Sequence, residues 1–349
     1  MLHKIIRYNF YLVIVIINFS ISTQAQNRAF KTIGVNDGLP SATVYDIIQD
    51  SRGFLWIGTD NGLAIYDGNK FETYTIKNGI AGNIVRKLFE DKNGNIWIGT
   101  NGGLSIYDGY HFTNLTKKNG LNGKTILCII QDHLERIWVG TDDGGINIIS
   151  NANKNNYNIK HAQASAEYGN LPVFDLYENE KHEIWAFTHG AGINIITHSE
   201  NTFISKPLNS INLPSENLLC FVKNKNNLII GTKDTGAFEI DINTYKIGKK
   251  YTTENMLSSN YIYDIKIAQN GSIWFGSADQ GITRLWPNKT KSFYKTNHGL
   301  ASNIVTCFFE DQEQNMWIGT SDNGISFLSS DCLDNYNKED GLNENAVKP

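Results

Sequence analysis

Apolar residues fall along this chain in short runs closed by Gly, Asn or Asp, and one run keeps returning in nearly the same words. Ile96-Trp97-Ile98-Gly99-Thr100 is one copy. Leu55–Thr59 precedes it, and Ile137–Thr141, Ile184–Thr188, residues 228–232, Ile273–Ser277 and Met316–Thr320 follow. Counted from Trp56, with Ile229 standing for the missing Trp, the steps are 41, 41, 47, 44, 45 and 43 residues. A period near forty marks an array of like units rather than a string of unrelated domains.

Each unit reads as four short strands. In the first, 44–49 is strand a, 50–53 a turn, 54–59 strand b, and Asp60-Asn61-Gly62 a tight hairpin turn whose Asn-Gly accepts positive φ. Strand c is 63–66, Asp67-Gly68-Asn69 turns the chain, and strand d is 71–76. No stretch keeps a helical period. Strand a carries apolar residues both twelve positions before the Trp (Val44, Val85, Ile126) and nine before it (Ile47, Leu88, Ile129), which reads as apolar on both faces. Such a strand needs cover on both sides. The predicted fold is therefore all-β: a seven-bladed β-propeller of four-stranded antiparallel blades, with an open solenoid as the alternative. Residues 30–33 resemble a strand d and can close the last blade. Residues 335–338 resemble one too, and 341–347 repeat the entry to a strand a seen at 299–305. The propeller is placed at 30–333. Residues 334–349 are read as the start of an eighth repeat, which would make the chain a fragment of a longer one, or as a closing strand; the fragment reading is favoured.

Composition narrows the function classes. The 349 residues carry a formal charge of −4 with 40% hydrophobic and 19% charged residues, and no basic stripe. That argues against a nucleic-acid partner. Lys4 and Arg7, an apolar run over 10–21 and Thr23-Gln24-Ala25 predict a cleaved signal peptide at 1–25 and a periplasmic location. The run is shorter than the roughly 20 apolar residues a membrane span needs, so membrane contact is expected only through segments beyond this chain. Cys128, Cys220 and Cys307 hold one position in three non-adjacent units, so they and Cys332 are expected as isolated thiols, not disulfides.

The pattern Asp-x-x-Gly-x-(Ile/Leu)-Trp-Ile-Gly-Thr-x-x-Gly-(Leu/Ile), followed by Tyr-Asp and later Gly-Leu, is cleanest in 50–67 and 91–108 and recognisable in 311–328. It resembles the two-component regulator propeller repeat, over roughly 30–349. The resemblance implies the periplasmic sensor region of Bacteroidetes hybrid two-component systems and related histidine kinases. There, two propellers commonly precede a β-sandwich, a membrane span and kinase modules. It further implies sensing of glycan-derived oligosaccharides. The sialidase Asp box does not fit, because Asp50 precedes Trp56 by six residues instead of five.

The repeated Trp and Gly share a face of strand b and are read as packing between blades. Recognition is expected on the ring face carrying the variable b–c and d–a loops. Its ligand-binding candidates are Asp60, Asn101, Asp142, His189, Lys233, Asp279 and Asp322 in the first set, and Asn83, Lys124, Asn260 and Asn303 in the second. Asp46, Lys87, Asp175 and Asp264, ten residues before the Trp, are candidates for lining a central channel. Spacing shows no metal-ligand pair, no cofactor motif and no nucleophile elbow. The expected function is a non-enzymatic periplasmic sensor without catalytic residues, cofactor or metal. Its expected partners are an oligosaccharide or other small ligand, or a partner domain, with further propeller and signalling domains if the chain is a fragment. The alternatives are an exported propeller lyase or hydrolase, which a cluster of raised-pKa carboxylates would favour, and a protein-binding scaffold.

Overall fold

A computed structural model describes residues 30–153, 156–162, 171–199, 202–208 and 211–330. The predicted signal peptide at 1–25, the tail at 334–349 and Cys332 lie outside the described residues. Seven four-stranded antiparallel sheets follow one another along the chain. Blade 1 consists of Val44–Gln49, Leu55–Thr59, Gly62–Tyr66 and Phe71–Tyr74. The innermost strands of the others are Val85–Glu90, Ile126–Gln131, Val173–Glu178, Leu218–Asn224, Ile262–Ile267 and Val305–Glu310. Each innermost strand contacts the next, and Val305–Glu310 contacts Val44–Gln49, so the ring is closed. The outermost strand of blade 7 is Lys31–Ile33, pairing Lys31 with Phe327 and Ile33 with Ile325. The early chain thus closes the ring, and the solenoid alternative is ruled out.

The turns explain why the strands end where they do. Strand d of blade 1 stops at Tyr74, two residues earlier than the pattern predicts, because Ile76–Asn78 forms a 3-10 turn. Gly79, at φ 106°, reverses the chain after it. In blades 1, 2, 3 and 7 the a–b turn is organised by one carboxylate. Asp50 Oδ1 accepts the backbone N–H groups of Arg52 and Phe54 at 3.0 and 2.9 Å, and Oδ2 accepts Trp56 Nε1 at 3.0 Å. Asp91, Asp132 and Asp311 hold Trp97, Trp138 and Trp317 in the same way, at 2.8, 2.7 and 2.7 Å. A buried indole keeps its donor satisfied, and a buried carboxylate collects enough N–H groups to remain charged. Burial by itself raises the Asp50 pKa, but the bonds from Trp56, Arg52 and Phe54 outweigh it and hold the carboxyl below its usual range.

Blade stacking uses the face that the Trp and Gly share. A Cβ on Gly99 would stand 2.7 Å from Ile126 Cγ2, on the innermost strand of blade 3. One cluster joins Trp56 and Leu63 of blade 1 to Val85, Leu88 and Ile98 of blade 2, and comparable clusters cross the other seams. Cys128, Cys220 and Cys307 are buried and free, their thiols pushed up in pKa first by burial.

Strand a departs from the sequence expectation. Val44 pairs with Thr59 and Ile47 with Ile57, so both lie on one face, not on two. The odd spacing is absorbed by a β-bulge between Val44 and Asp46. The same register shift recurs in the innermost strand of all seven blades.

Candidate functional site

A bulge inserts one residue into the strand and re-aims its side chain. The inserted residues are Tyr45, Arg86, Leu127, Phe174, Leu219, Tyr263 and Thr306. All seven line a cavity of about 440 Å³ at the centre of the ring. Asp46, Lys87, Asp175 and Asp264 line it as well, so the four channel candidates are brought together there. Thr43, Ile304 and Ser321 form its rim, which places the mouth on the d–a and b–c loop face. The Thr43 hydroxyl donates to the Ser321 carbonyl at 2.7 Å and ties the rim across the closing seam.

Charge and aromatic surface meet inside. Lys87 Nζ lies 3.1 Å from Asp46 Oδ2, and that oxygen also accepts the Leu88 N–H at 2.9 Å. Asp264 Oδ2 accepts the Phe308 N–H at 2.7 Å, again from the following blade. Asp175 Oδ1 accepts the Leu176 N–H at 2.9 Å. Burial pushes the Asp175 carboxyl up to about 7, with Lys87 opposing it. Burial also raises Asp264, against the Phe308 N–H and Lys87. Lys87 goes the other way: burial alone would lower it, but Asp46 and then Asp175 more than reverse this and hold the ammonium charged. The Arg86 guanidinium sits 4.7 Å from the Tyr45 ring centre, and its buried Nε has no hydrogen-bond partner among the described residues. The Tyr261 and Tyr263 rings lie 4.9 Å apart, tilted by 48°, with their hydroxyls 3.4 Å apart. The Tyr261 hydroxyl is raised to about 12, first by burial and then by Tyr263.

The eleven loop candidates surround this mouth without lining it. Asn83, Asn260 and Asn303 spend their side-chain oxygens on the backbone N–H groups of Ile76, Thr253 and Thr296 at 2.9, 2.9 and 3.0 Å. Asn101 and Asp142 accept the N–H groups of Ile84 and Thr125, both at 3.3 Å. Asp60, His189 and Lys233 donate their backbone N–H groups to Thr43, Pro172 and Asn217 at the entry to strand a. Ala278 and Ser321 make the same bond in blades 6 and 7, so Asp279 and Asp322 stand one residue farther out and are exposed. Lys124 is exposed and gives its N–H to Asp143. The His189 ring lies 6.2 Å from the ring of the inserted Phe174, centre to centre. The inserted ring itself was missed because strict alternation places a residue beside Asp46 on the opposite face. The signal available was the odd spacing of Val44 and Ile47.

This geometry defines a class: a closed seven-bladed propeller with a polar and aromatic channel mouth on its variable loop face. Within it, residues 38–61, 79–102, 120–143, 256–279 and 299–322 match the model of the family described as Two component regulator propeller. The chain carries repeats of that family, and the unmatched stretch between 143 and 256 holds the divergent units. A 52-residue segment is 44% identical to Histidine kinase P4 of Formosa agariphila, covering 15% of this chain and 4% of that protein. Among solved structures, the extracellular domain of the proposed hybrid two-component system BT3049 from B. thetaiotaomicron superposes with a TM-score of 0.73 at 24% identity, covering 86% of this chain and 42% of that one. The extracellular domain of the proposed one-component system BT4673 from the same organism gives 0.66 at 21%, covering 89% and 40%. PorZ of Porphyromonas gingivalis, a surface component of the type-IX secretion system, gives 0.65 at 14%, covering 87% and 49%. The chain spans less than half the length of each. It resembles the extracellular propeller domains of two-component regulators. No helix among the described residues is long and apolar enough to cross a membrane.

Proposed function

We propose that this propeller is a non-enzymatic, periplasmic ligand-sensing domain, the input part of a two-component type of regulator, and that a glycan-derived oligosaccharide binds at the channel mouth. The observation that carries the reading is the ring of inserted residues. Tyr45, Phe174 and Tyr263 offer aromatic surface, while Arg86, Lys87, Asp46 and Asp264 offer charged donors and acceptors around the same cavity. Such a mixture suits a ligand with apolar ring faces and many hydroxyls. The Arg86 guanidinium lines the cavity, and its buried Nε has no hydrogen-bond partner among the described residues. Isothermal titration of residues 26–349 against a panel of oligosaccharides tests this. A sugar that binds should bind about tenfold more weakly to Arg86→Ala and Tyr263→Ala. If no sugar binds, or if both variants bind like the parent, recognition at this mouth is wrong.

One observation favours a second reading, an exported propeller enzyme acting on polysaccharide. Asp175 and Asp264 line one cavity with raised pKa values, as a general acid needs. Against it, all three channel carboxylates are engaged with backbone N–H groups. Polysaccharide cleavage by the parent that Asp175→Asn abolishes would decide for the enzyme.

A further inference from the structure

The ring face opposite the channel mouth carries the a–b turns, and five of its seven seams share one device among the described residues. The last residue of strand a in one blade accepts a backbone N–H from the turn of the blade before. Glu90 takes Ser51, Gln131 takes Lys92, Glu310 takes Gln269, and Gln49 takes Gln312 across the closing seam, at 2.8 to 3.0 Å. At the seam between blades 3 and 4 the same clasp is present: Glu178 Oε2 accepts the His133 N–H at 2.9 Å. There the arrangement goes further. The Nδ1 atoms of His133 and His182 both turn to Glu178 Oε1, His182 at 3.2 Å. The two rings stack at 3.6 Å.

The clasp alone needs one acceptor and one N–H, as the other seams demonstrate. Two imidazole nitrogens converging on one carboxylate oxygen exceed that need. His133, Glu178 and His182 offer one ligand atom each, all within 4.8 Å of one another. Two His and one carboxylate form a donor set suited to zinc, with a further position open to water. The carboxylate is already oriented, because its second oxygen is held by the His133 N–H. Both rings are reachable, with side-chain exposures of 35% for His133 and 55% for His182. The set is invisible to spacing because His133 and Glu178 lie 45 residues apart, on different blades.

We propose that His133, Glu178 and His182 form a site for a divalent zinc-class ion, whose role is to pin the turn of blade 4 to blade 3. This turn departs from those of blades 1, 2, 3 and 7. Asn179 replaces the turn Asp there, and Trp185 Nε1 is buried with no hydrogen-bond partner among the described residues.

The test uses the chain from residue 26 onward, freed of metal by a chelator and titrated calorimetrically with zinc chloride. One ion should bind per chain and raise the melting temperature. His133→Asn keeps the backbone clasp, and His182→Asn keeps a residue that tolerates the positive φ found there, 61°. Each variant should bind zinc at least tenfold more weakly, and the double variant should lose both the binding and the thermal shift. His298→Asn, outside the site, should behave as the parent. A parent chain that binds no zinc overturns the proposal, and so does a double variant that binds zinc as the parent does.

Discussion

Blades 1 and 4 have the same four strands and the same bulge, yet differ at each place where the repeat does its work. In blade 1 the turn Asp50 accepts Trp56 Nε1. In blade 4, Asn179 Oδ1 accepts the N–H groups of Lys181 and Glu183, both at 2.9 Å, so the turn is kept. Its amide nitrogen, however, is a donor spent on Glu183 Oε2, and Trp185 Nε1 has no acceptor among the described residues. In blade 1, Gly58 lets Val85 approach. In blade 4, Phe187 fills that place and stacks on Phe221 at 4.8 Å. In the channel, Asp46 has Lys87 at 3.1 Å, whereas Asp175 makes no ion pair among the described residues. The comparison teaches that turn geometry and indole anchoring are separable duties of one Asp, and that the fold tolerates loss of the second.

The comparison breaks most visibly at the turn carboxylate. Asp50→Ala removes the acceptor of the Trp56 indole and of two backbone N–H groups in a buried setting, and should cost about 3 kcal/mol. Asn179→Ala removes the turn bonds and the bond to Glu183 but no indole bond, and should cost about 1–2 kcal/mol. Chemical denaturation of the two variants beside the parent measures both. Equal losses would mean that the indole bond contributes nothing.

This difference was half legible in the sequence. The Trp-Gly period gave the blades and their number, because close packing between sheets demands a large ring beside a missing side chain at fixed intervals, and the likeness of residues 30–33 to a strand d gave the closing strand. The Asp six residues before the Trp was visible too, as the first position of the repeat pattern, but its role was not. Its bond appears once the turn has folded. The bulge was hidden for a different reason: alternation assumes an unbroken pleat, and Val44 with Ile47 reads as two faces unless an extra residue is allowed. The positions of the loop candidates could be read, but not their commitments. Asn83 resembles a free ligand group in sequence, and in the fold its oxygen holds Ile76. The His133–Glu178–His182 cluster was beyond reach, since it joins two units.

The channel sharpens the comparison through pH. The Asp175 carboxyl sits at about 7 in the folded chain against an ordinary value of 3.8. The folded state therefore holds a proton that the unfolded state has released between those values. Stability contributed by this group is present at low pH and is lost as pH rises toward 7. Asp175→Asn should be more stable than the parent at pH 8 by on the order of 2 kcal/mol, allowing for water in the channel, and the gap should close by about pH 4. Asp46→Asn at the equivalent place should destabilise at pH 8, because it weakens the pair with Lys87. Melting curves of the three proteins from pH 4 to pH 8 give the result. Two variants that shift in the same direction would contradict the different charge settings of the two blades.

The smallest expected effect is also the most direct way to convert one blade into the other. In blades 2 and 7 the turn Asp is followed four residues later by an Asn whose amide donates to it, Asn95 to Asp91 and Asn315 to Asp311, both at 2.9 Å. Blade 4 has the pair reversed, Asn179 followed by Glu183. Asn179→Asp alone would set two carboxylates against each other. Asn179→Asp combined with Glu183→Asn restores the order of blades 2 and 7. The carboxylate could then accept Trp185 Nε1 while still holding the N–H groups of the turn. One net hydrogen bond to a charged acceptor should add about 1 kcal/mol. Asn179→Asp alone should fall below the double variant, since Glu183 then repels it. A double variant no more stable than the parent would show that the indole of blade 4 is satisfied in solution by other means, and that the Asp and Trp of blades 1, 2, 3 and 7 are not one functional pair.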